Sequence, residues 1–318
     1  MSGIDVSVLF PIQPTDIREV LPFGQLVRES GAARLWMGQS LMIESHPAFA
    51  YLAGTGCRVP VGIGVGLIPL RHPLDAALQA RALAVLMEHP VTVGYGASDP
   101  GFVTSVLGAP YERPAAAVEE YISIVRALLN ERRVDHRGCT FRVSARLEPL
   151  DHPRVEVGAG VLRPAMARAA GRCADVAITW LTPPRYLRDV ILPALVAARR
   201  TAAPRLVTMV QVGVDRPRRN PMLLAQYGAG NHLRTQHYTD MLRRAGLDVH
   251  PSDPVAGARQ LVEQRLYVFG KPGDIAAELR RYREAGVDEV ILNVTAVALL
   301  YGMDAALADL RDVLSEFR

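Results

Sequence analysis

The stretch VPVGIGVGLIPLRHP, residues 59–73, decides how this chain is read. It begins as a strand in which Gly62, Gly64 and Gly66 fall at i, i+2 and i+4. Side chains alternate across a strand, so the three glycines share one face, while Ile63, Val65 and Leu67 form the other. Glycine costs conformational entropy in a strand and packs nothing, so three on one face mean that something lies close against it. That something is a flat ligand or the backbone of a neighbouring element. Arg71-His72-Pro73 then turns the chain into a helix, setting a cation and an imidazole beside the glycine face.

Working outward, runs rich in Ile, Val and Leu recur at regular intervals with amphipathic stretches between them. The pattern predicts strands at 4–10, 33–38, 59–67, 91–96, 154–158, 175–181, 205–214 and 288–294. It predicts helices at 16–30, 46–56, 73–88, 113–131, 163–173, 184–200, 272–285 and 303–316. Eight strands each followed by a helix fit a (β/α)8 barrel, an α/β fold whose parallel strands need crossover helices. A doubly wound open sheet would use fewer strands for 318 residues. The regular alternation makes residues 1–318 one domain. The surplus length lies in 216–266, read as a helical insertion between strands seven and eight and a candidate lid. HRGCTFRV, 136–143, reads as a short hairpin.

The composition, 49% hydrophobic and 21% charged, is that of a soluble chain with a substantial core. No apolar run reaches membrane-span length, and the first ten residues lack the basic start of a signal peptide. Cys57, Cys139 and Cys173 are odd in number and widely spaced, which fits reduced thiols in a cytoplasmic setting. The net charge of +4 rests on arginine, since Lys271 is the only lysine. The basic residues are dispersed and aromatics make up only 6%, which suits a small polyanion better than nucleic acid.

Active sites of such barrels lie at the C-terminal strand ends. That rule nominates Phe10, Gln39, the run from Gly64 to Leu67, Gly96-Ala97-Ser98-Asp99, the run from Gly158 to Arg163, and Trp180. VGAGVLRPAMARAAG, 157–171, places Gly158 and Gly160 before a helix but has Arg163 where the dinucleotide fingerprint needs glycine. Backbone N–H groups at that helix start, with Arg163, make a phosphate seat; an ordinary tight turn with a surface arginine is the plainer reading. Arg216, Arg218 and Arg219 would meet a longer anionic tail or simply line a solvated loop. His232 and His237 stand five apart, off a common helical face, and no HExxH occurs, so zinc is unsupported. Trp36 and Trp180 are core residues or ring-stacking platforms. His72 is a packed residue beside a proline or a proton donor.

The glycine strand ending in PLRHP, the strand VTVGYGAS, and the segments GAPYERPAAAVEEYISIVRALL, AGRCADVAITWL and VFGKPGDIAAELRRYREAGVDEVIL together resemble the luciferase-like monooxygenase superfamily. YGASD, ERPAAAVEEY and YTDMLRRAG most resemble its branch using coenzyme F420, a deazaflavin. The resemblance implies a (β/α)8 barrel, a homodimer, and a non-prolyl cis peptide after the third strand, here joining Gly64 and Val65. It implies that Gly64, Val65, Gly66, Gly96, Ala97 and Ser98 line the cofactor ring, and that Gly158, Ala159, Gly160, Val161, Leu162 and Arg163 hold its phosphate. Gln39 would hydrogen-bond the ring or the substrate. His72, Asp99, Tyr227 and Tyr238 are candidate proton donors, and Phe10, Trp180, Tyr227 and Tyr238 would face the substrate.

Two departures matter. Relatives that oxidise alcohols have an acidic residue and a histidine where this chain has Gln39 and Ser40, and similar sequences have Ser-His where it has Ser98-Asp99. The resulting expectation is an F420H2-dependent reductase acting on an electron-poor C=C or C=N bond of a small-molecule or modified-peptide intermediate. The alternatives are an FMN-dependent monooxygenase and a binding protein without turnover.

Overall fold

A computed structural model describes residues 4–199 and 202–317. Its strands are β1 (Asp5–Leu9), β2 (Leu35–Met37), β3 (Val61–Leu67), β4 (Val91–Gly96), β5 (Arg133–Arg137), β6 (Arg142–Arg146), β7 (Val155–Gly160), β8 (Val176–Trp180), β9 (Arg205–Val214), β10 (Tyr267–Gly270) and β11 (Glu289–Asn293). Parallel pairing runs β9–β11–β1–β2–β3–β4–β7–β8 and returns from β8 to β9, closing an eight-stranded barrel. This is the α/β barrel predicted from the alternation of strand and helix.

β10 is a ninth strand that the periodicity did not show. It adds to the upper part of the long β9, pairing Tyr267 with Gln211 and Gly270 with Val214, while the lower part of β9 pairs with β11. Four residues wedged between helix signals carry too little pattern to be read as a strand. β5 and β6 form the hairpin, wider than 136–143. Segment 216–266 holds helices Pro221–Leu233, Gln236–Arg244 and Pro254–Glu263. Two further helices, Pro100–Leu107 and Thr295–Tyr301, were not predicted. The helix predicted at 184–200 runs to Ala198 through a π turn; residue 200 lies outside the described residues.

Local rules explain the helix starts. Helices open on Pro73, Pro100, Pro114, Pro164, Pro221 and Pro272. Proline lacks an N–H where the helix has no acceptor for one, and its φ is already helical. Asp99, Asn220 and Asp253 cap the helices that follow them.

Alternation divides the core in two. Val6, Val8, Leu35, Met37, Val93, Tyr95 and Val210 point outward into the large sheet–helix core. Leu9, Trp36, Val176, Ile178, Val207, Met209 and Ile291 fill the barrel interior. Below them the same inward phase brings up Ser7, Arg34, Thr92, Glu156, Arg205 and Glu289. Glu289 is fully buried and accepts from Ser7 Oγ at 2.6 Å and Trp36 Nε1 at 2.7 Å. Arg34 and Arg205 pair with it at 3.1 and 3.3 Å, and Arg205 also binds Glu156 at 2.7 Å. The barrel floor is thus an ionic plug, and open space can exist only at the other end. No helix among the described residues is long and apolar enough to cross a membrane.

Candidate active site

The glycine face is occupied from within the fold. A Cβ on Gly62 would lie 2.4 Å from the Trp36 indole, and one on Gly64 2.7 Å from Met209 Cε. The close neighbour is therefore a side-chain layer, whereas a flat ligand or a backbone was expected. The peptide bond between Gly64 and Val65 is cis, and the pairing of β3 with β4 shifts register between Ile63 and Gly66. Alternation breaks there, and Val65 turns inward instead of outward with Ile63. Its methyls face the positions a Cβ would take on Gly94, Gly96 and Gly160, at 3.0, 3.0 and 3.4 Å. Three glycines on two strands, β4 and β7, make room for Val65, a raised platform at the barrel mouth.

Gln39 follows β2, half-buried, donating to the Ser40 carbonyl at 2.8 Å and accepting from Leu67 N–H at 3.5 Å. It therefore bridges the ends of β2 and β3 beside the platform. Ala97 and Ser98 leave β4, Ser98 with φ of 69°, a left-handed conformation that a residue with a Cβ adopts only under constraint. Asp99 is exposed and accepts from Phe102 N–H at 3.0 Å. On the neighbouring strand Gly158, Ala159 and Gly160 end β7; Val161 N–H bonds the Ile178 carbonyl, and Leu162 and Arg163 lead into helix Pro164–Cys173. No side chain caps that helix, so its first-turn N–H groups stay open to an anion. Arg163 pairs at 3.4 Å with Asp240 of helix Gln236–Arg244, and Asp240 also binds Arg244 at 3.0 Å.

Other nominated residues fall elsewhere. Phe10 packs edge-on against Phe23 at 5.2 Å, on the helix side of the sheet. His72 is exposed and accepts from Leu74 N–H at 3.2 Å as a helix cap. Arg71 is held by Glu44 at 3.0 Å and Gln79 at 2.9 Å. Tyr227 is exposed on helix Pro221–Leu233. Arg216 binds Asp309 at 2.9 Å and Asp312 at 2.6 Å; Arg219 binds Asp309 and lies over the Tyr301 ring. These two arginines are already neutralised, and only Arg218 of the three has no carboxylate partner among the described residues.

The insertion meets the mouth through His232, which the sequence had suggested only as a failed metal ligand, and Tyr238, a nominated substrate-facing residue. His232 stacks on Trp180, with ring centroids 5.0 Å apart and planes at 26°. Tyr238 meets His232 edge-on at 4.8 Å. Burial pushes the His232 imidazole down to about 4, with the nearby His237 adding to the effect, so it is neutral at pH 7. His237 is also lowered by burial and by Arg163, and Asp99 opposes this, which puts His237 near both strand ends. Burial pushes the Tyr238 hydroxyl well above its usual range. Among the described residues no group of His, Cys, Asp and Glu could hold a metal ion.

Sequence reasoning also missed Gln211 and Asn293. Both point into the upper barrel, in phase with Met209 and Ile291, and they are 1% and 2% exposed. A lone amide near the end of each of the apolar runs RLVTMVQVGV and VILNV was the available signal.

A barrel with a cis bond at the end of its third strand and an uncapped helix after its fifth agrees with what comparison finds. The sequence profile of the luciferase-like monooxygenase family matches residues 5–289. The chain belongs to that family. Among curated proteins, none matches it in sequence. Its fold is similar to that of an F420-dependent secondary alcohol dehydrogenase solved with an F420–acetone adduct (16% identity, TM-score 0.72, 98% of this chain and 99% of the other). It is also similar to the coenzyme F420-dependent tetrahydromethanopterin reductase of Methanopyrus kandleri (15%, TM-score 0.74, 100% of both). A third similar structure is an FMN complex, the oxygenating constituent of 3,6-diketocamphane monooxygenase from Pseudomonas putida (16%, TM-score 0.72, 99% and 97%). At these identities the likeness concerns the fold, which this luciferase-like chain shares with F420 and FMN enzymes alike.

Proposed function

We propose that this protein is an F420H2-dependent reductase acting on an electron-poor C=C or C=N bond of a small-molecule or modified-peptide intermediate. The residues present fit a bound deazaflavin. The Val65 platform offers an apolar support for a ring, Gln39 a hydrogen-bonding edge beside it, and the open helix start at Pro164 a seat for a phosphate. When bound, the reduced cofactor supplies a hydride.

The observation that carries the direction of reaction is that Gln39 and Ser40 are the polar side chains directly after β2, while the next acid–histidine pair, Glu44 and His46, is tied to Arg71 at the start of the following helix. Oxidising an alcohol requires a base that removes the hydroxyl proton, and Gln39 and Ser40 cannot act as one. Four side chains at the mouth, Trp180, His232, Tyr238 and Gln39, are neutral at pH 7. Such groups bind and orient an acceptor and exclude water from it. The insertion that brings in His232 and Tyr238 is the lid of this reading.

One feature favours FMN as a second reading. Arg216 and Arg219 are taken up by Asp309 and Asp312, which leaves a seat for one phosphate and few free cations for a polyanionic tail. Titrating the protein with F420 and with FMN, followed by cofactor fluorescence, separates the two. The F420 reading expects tight F420 binding and oxidation of F420H2 on adding an activated alkene. Tight FMN binding with no response to F420 would overturn it.

A further inference from the structure

Four side chains where helix Pro221–Leu233 meets the barrel share an unusual condition. Trp180 Nε1, His232 Nδ1, both amide atoms of Gln211 and Nδ2 of Asn293 are buried and have no hydrogen-bond partner. Buried polar atoms nearly always find partners, because each one left alone forfeits its hydration. Five in one place indicate a missing partner common to them.

They are one place by construction. β8, β9 and β11 are neighbours, with Trp180 opposite Met209 and Asn293 opposite Gln211. Gln211 stands one inward position above Met209, so Trp180, Gln211 and Asn293 step across three strand ends. The helix overhead places Gly228 and His232 four residues apart on one face. A Cβ on Gly228 would lie 2.9 Å from Gln211 Oε1, while His232 stacks on Trp180. Helix Thr295–Tyr301 packs against the same helix, and Asn293 Oδ1 accepts from Thr295 N–H at 2.9 Å, which fixes Nδ2 as the open end.

The chemistry of the open atoms defines the ligand. Trp180 Nε1, Gln211 Nε2 and Asn293 Nδ2 donate; Gln211 Oε1 accepts; His232 Nδ1 does either. None of the four groups is charged at pH 7, and an acceptor oxygen, Gln211 Oε1, stands among the donors, so a neutral group that both accepts and donates is matched better than an anion or a cation. A planar neutral group with carbonyl acceptors and an N–H donor is matched on both counts. We propose that this strip is a substrate-anchoring site for a secondary amide of the peptide type, held by Gln211 and Asn293 with Trp180 and His232 alongside. This deepens the reductase reading by naming the group that flanks the reduced bond, and it rests on that reading only for the chemistry.

The test uses the full chain, with and without F420, and the probe N-acetyl-dehydroalanine N-methylamide, with cyclohex-2-enone as a carbonyl that lacks N–H. Calorimetry measures binding, and NMR follows the 15N-labelled side-chain amides of Gln211 and Asn293. The expected result is that the amide probe shifts both signals and that Gln211→Met weakens its binding at least tenfold and enone binding less, because the enone has no N–H for Gln211 Oε1 to accept from. Gln211→Met keeps the side-chain volume, and its thermal melt verifies folding. Unperturbed amide signals at saturation, no binding of the amide probe, or equal binding by a folded Gln211→Met variant would each overturn the site and leave only ordered water there. Amide binding that depends on Gln211, without F420H2 oxidation, would instead sink the reductase reading and keep the anchor.

Discussion

Gly62 and Gly66 have the same phase in the sequence and opposite duties in the fold. The space a side chain would need at Gly62 belongs to Trp36, whose indole N–H is tied to the buried Glu289, so the ring has no room to retreat. At Gly66 the nearest atoms to a Cβ are those of the Tyr95 ring at 3.7 Å, an ordinary contact. Gly62→Ala is therefore expected to destabilise the protein by about 1–3 kcal/mol through overpacking. Gly66→Ala should stay within about 0.5 kcal/mol of the parent. Urea denaturation of the two variants checks this, and equal losses would mean that Trp36 is free to move. The difference was not legible in VGIGVGL, because what faces a glycine comes from another strand.

At the scale of elements, the insertion depends on one buried carboxylate. Asp309 lies on helix Met303–Ser315 and is fully buried. It accepts from Val214 N–H at 2.9 Å and from Arg216 at 2.9 Å, and it also binds Arg219. These bonds clamp the exit of β9, from which helix Pro221–Leu233 departs. Removing one partner of a buried ion cluster leaves the others unpaired, so Asp309→Ala should cost about 3–5 kcal/mol. Hydrogen exchange should show protection lost first across 214–233; uniform loss over the barrel would contradict a local clamp. In sequence, RPRRNP looked like a basic rim for an anionic tail. Its partners lie some ninety residues away, and no local pattern announces them.

Over the whole molecule, the response to acid combines two distant groups. His232 has a folded pKa of about 4 against an ordinary 6.5, because burial disfavours its charge. The unfolded chain therefore takes up the proton first. Stability is intact above pH 6.5 and falls as pH drops towards 4, by up to about 3 kcal/mol. Glu44 is half-exposed; burial raises its carboxyl, but hydrogen bonds from His46 and Arg71 outweigh this and hold it down at about 2. Its contribution is present above pH 4.5 and lost as pH falls through 2. Melting temperature should thus decline in two stages below neutrality, and His232→Phe should remove most of the first stage and none of the second, the remainder coming from His237, which burial lowers in the same way. A variant with an unchanged profile would show that His232 is solvated and that the lid does not close on Trp180.

The sequence by itself determined the barrel, since strand and helix periodicities are local and proline and cap residues mark the helix starts within a few positions. It also placed the cis bond and the helix start at Pro164, because a family's glycine-rich strand ends are contiguous segments. The tertiary structure alone decided which way each candidate faces. Phe10 and His72 left the mouth, while His232, Gln211 and Asn293 came to it beside Trp180 from strands and a helix far along the chain. Whether a polar atom is satisfied or open depends on the strand beside it and the helix above it, and only the closed fold brings those together.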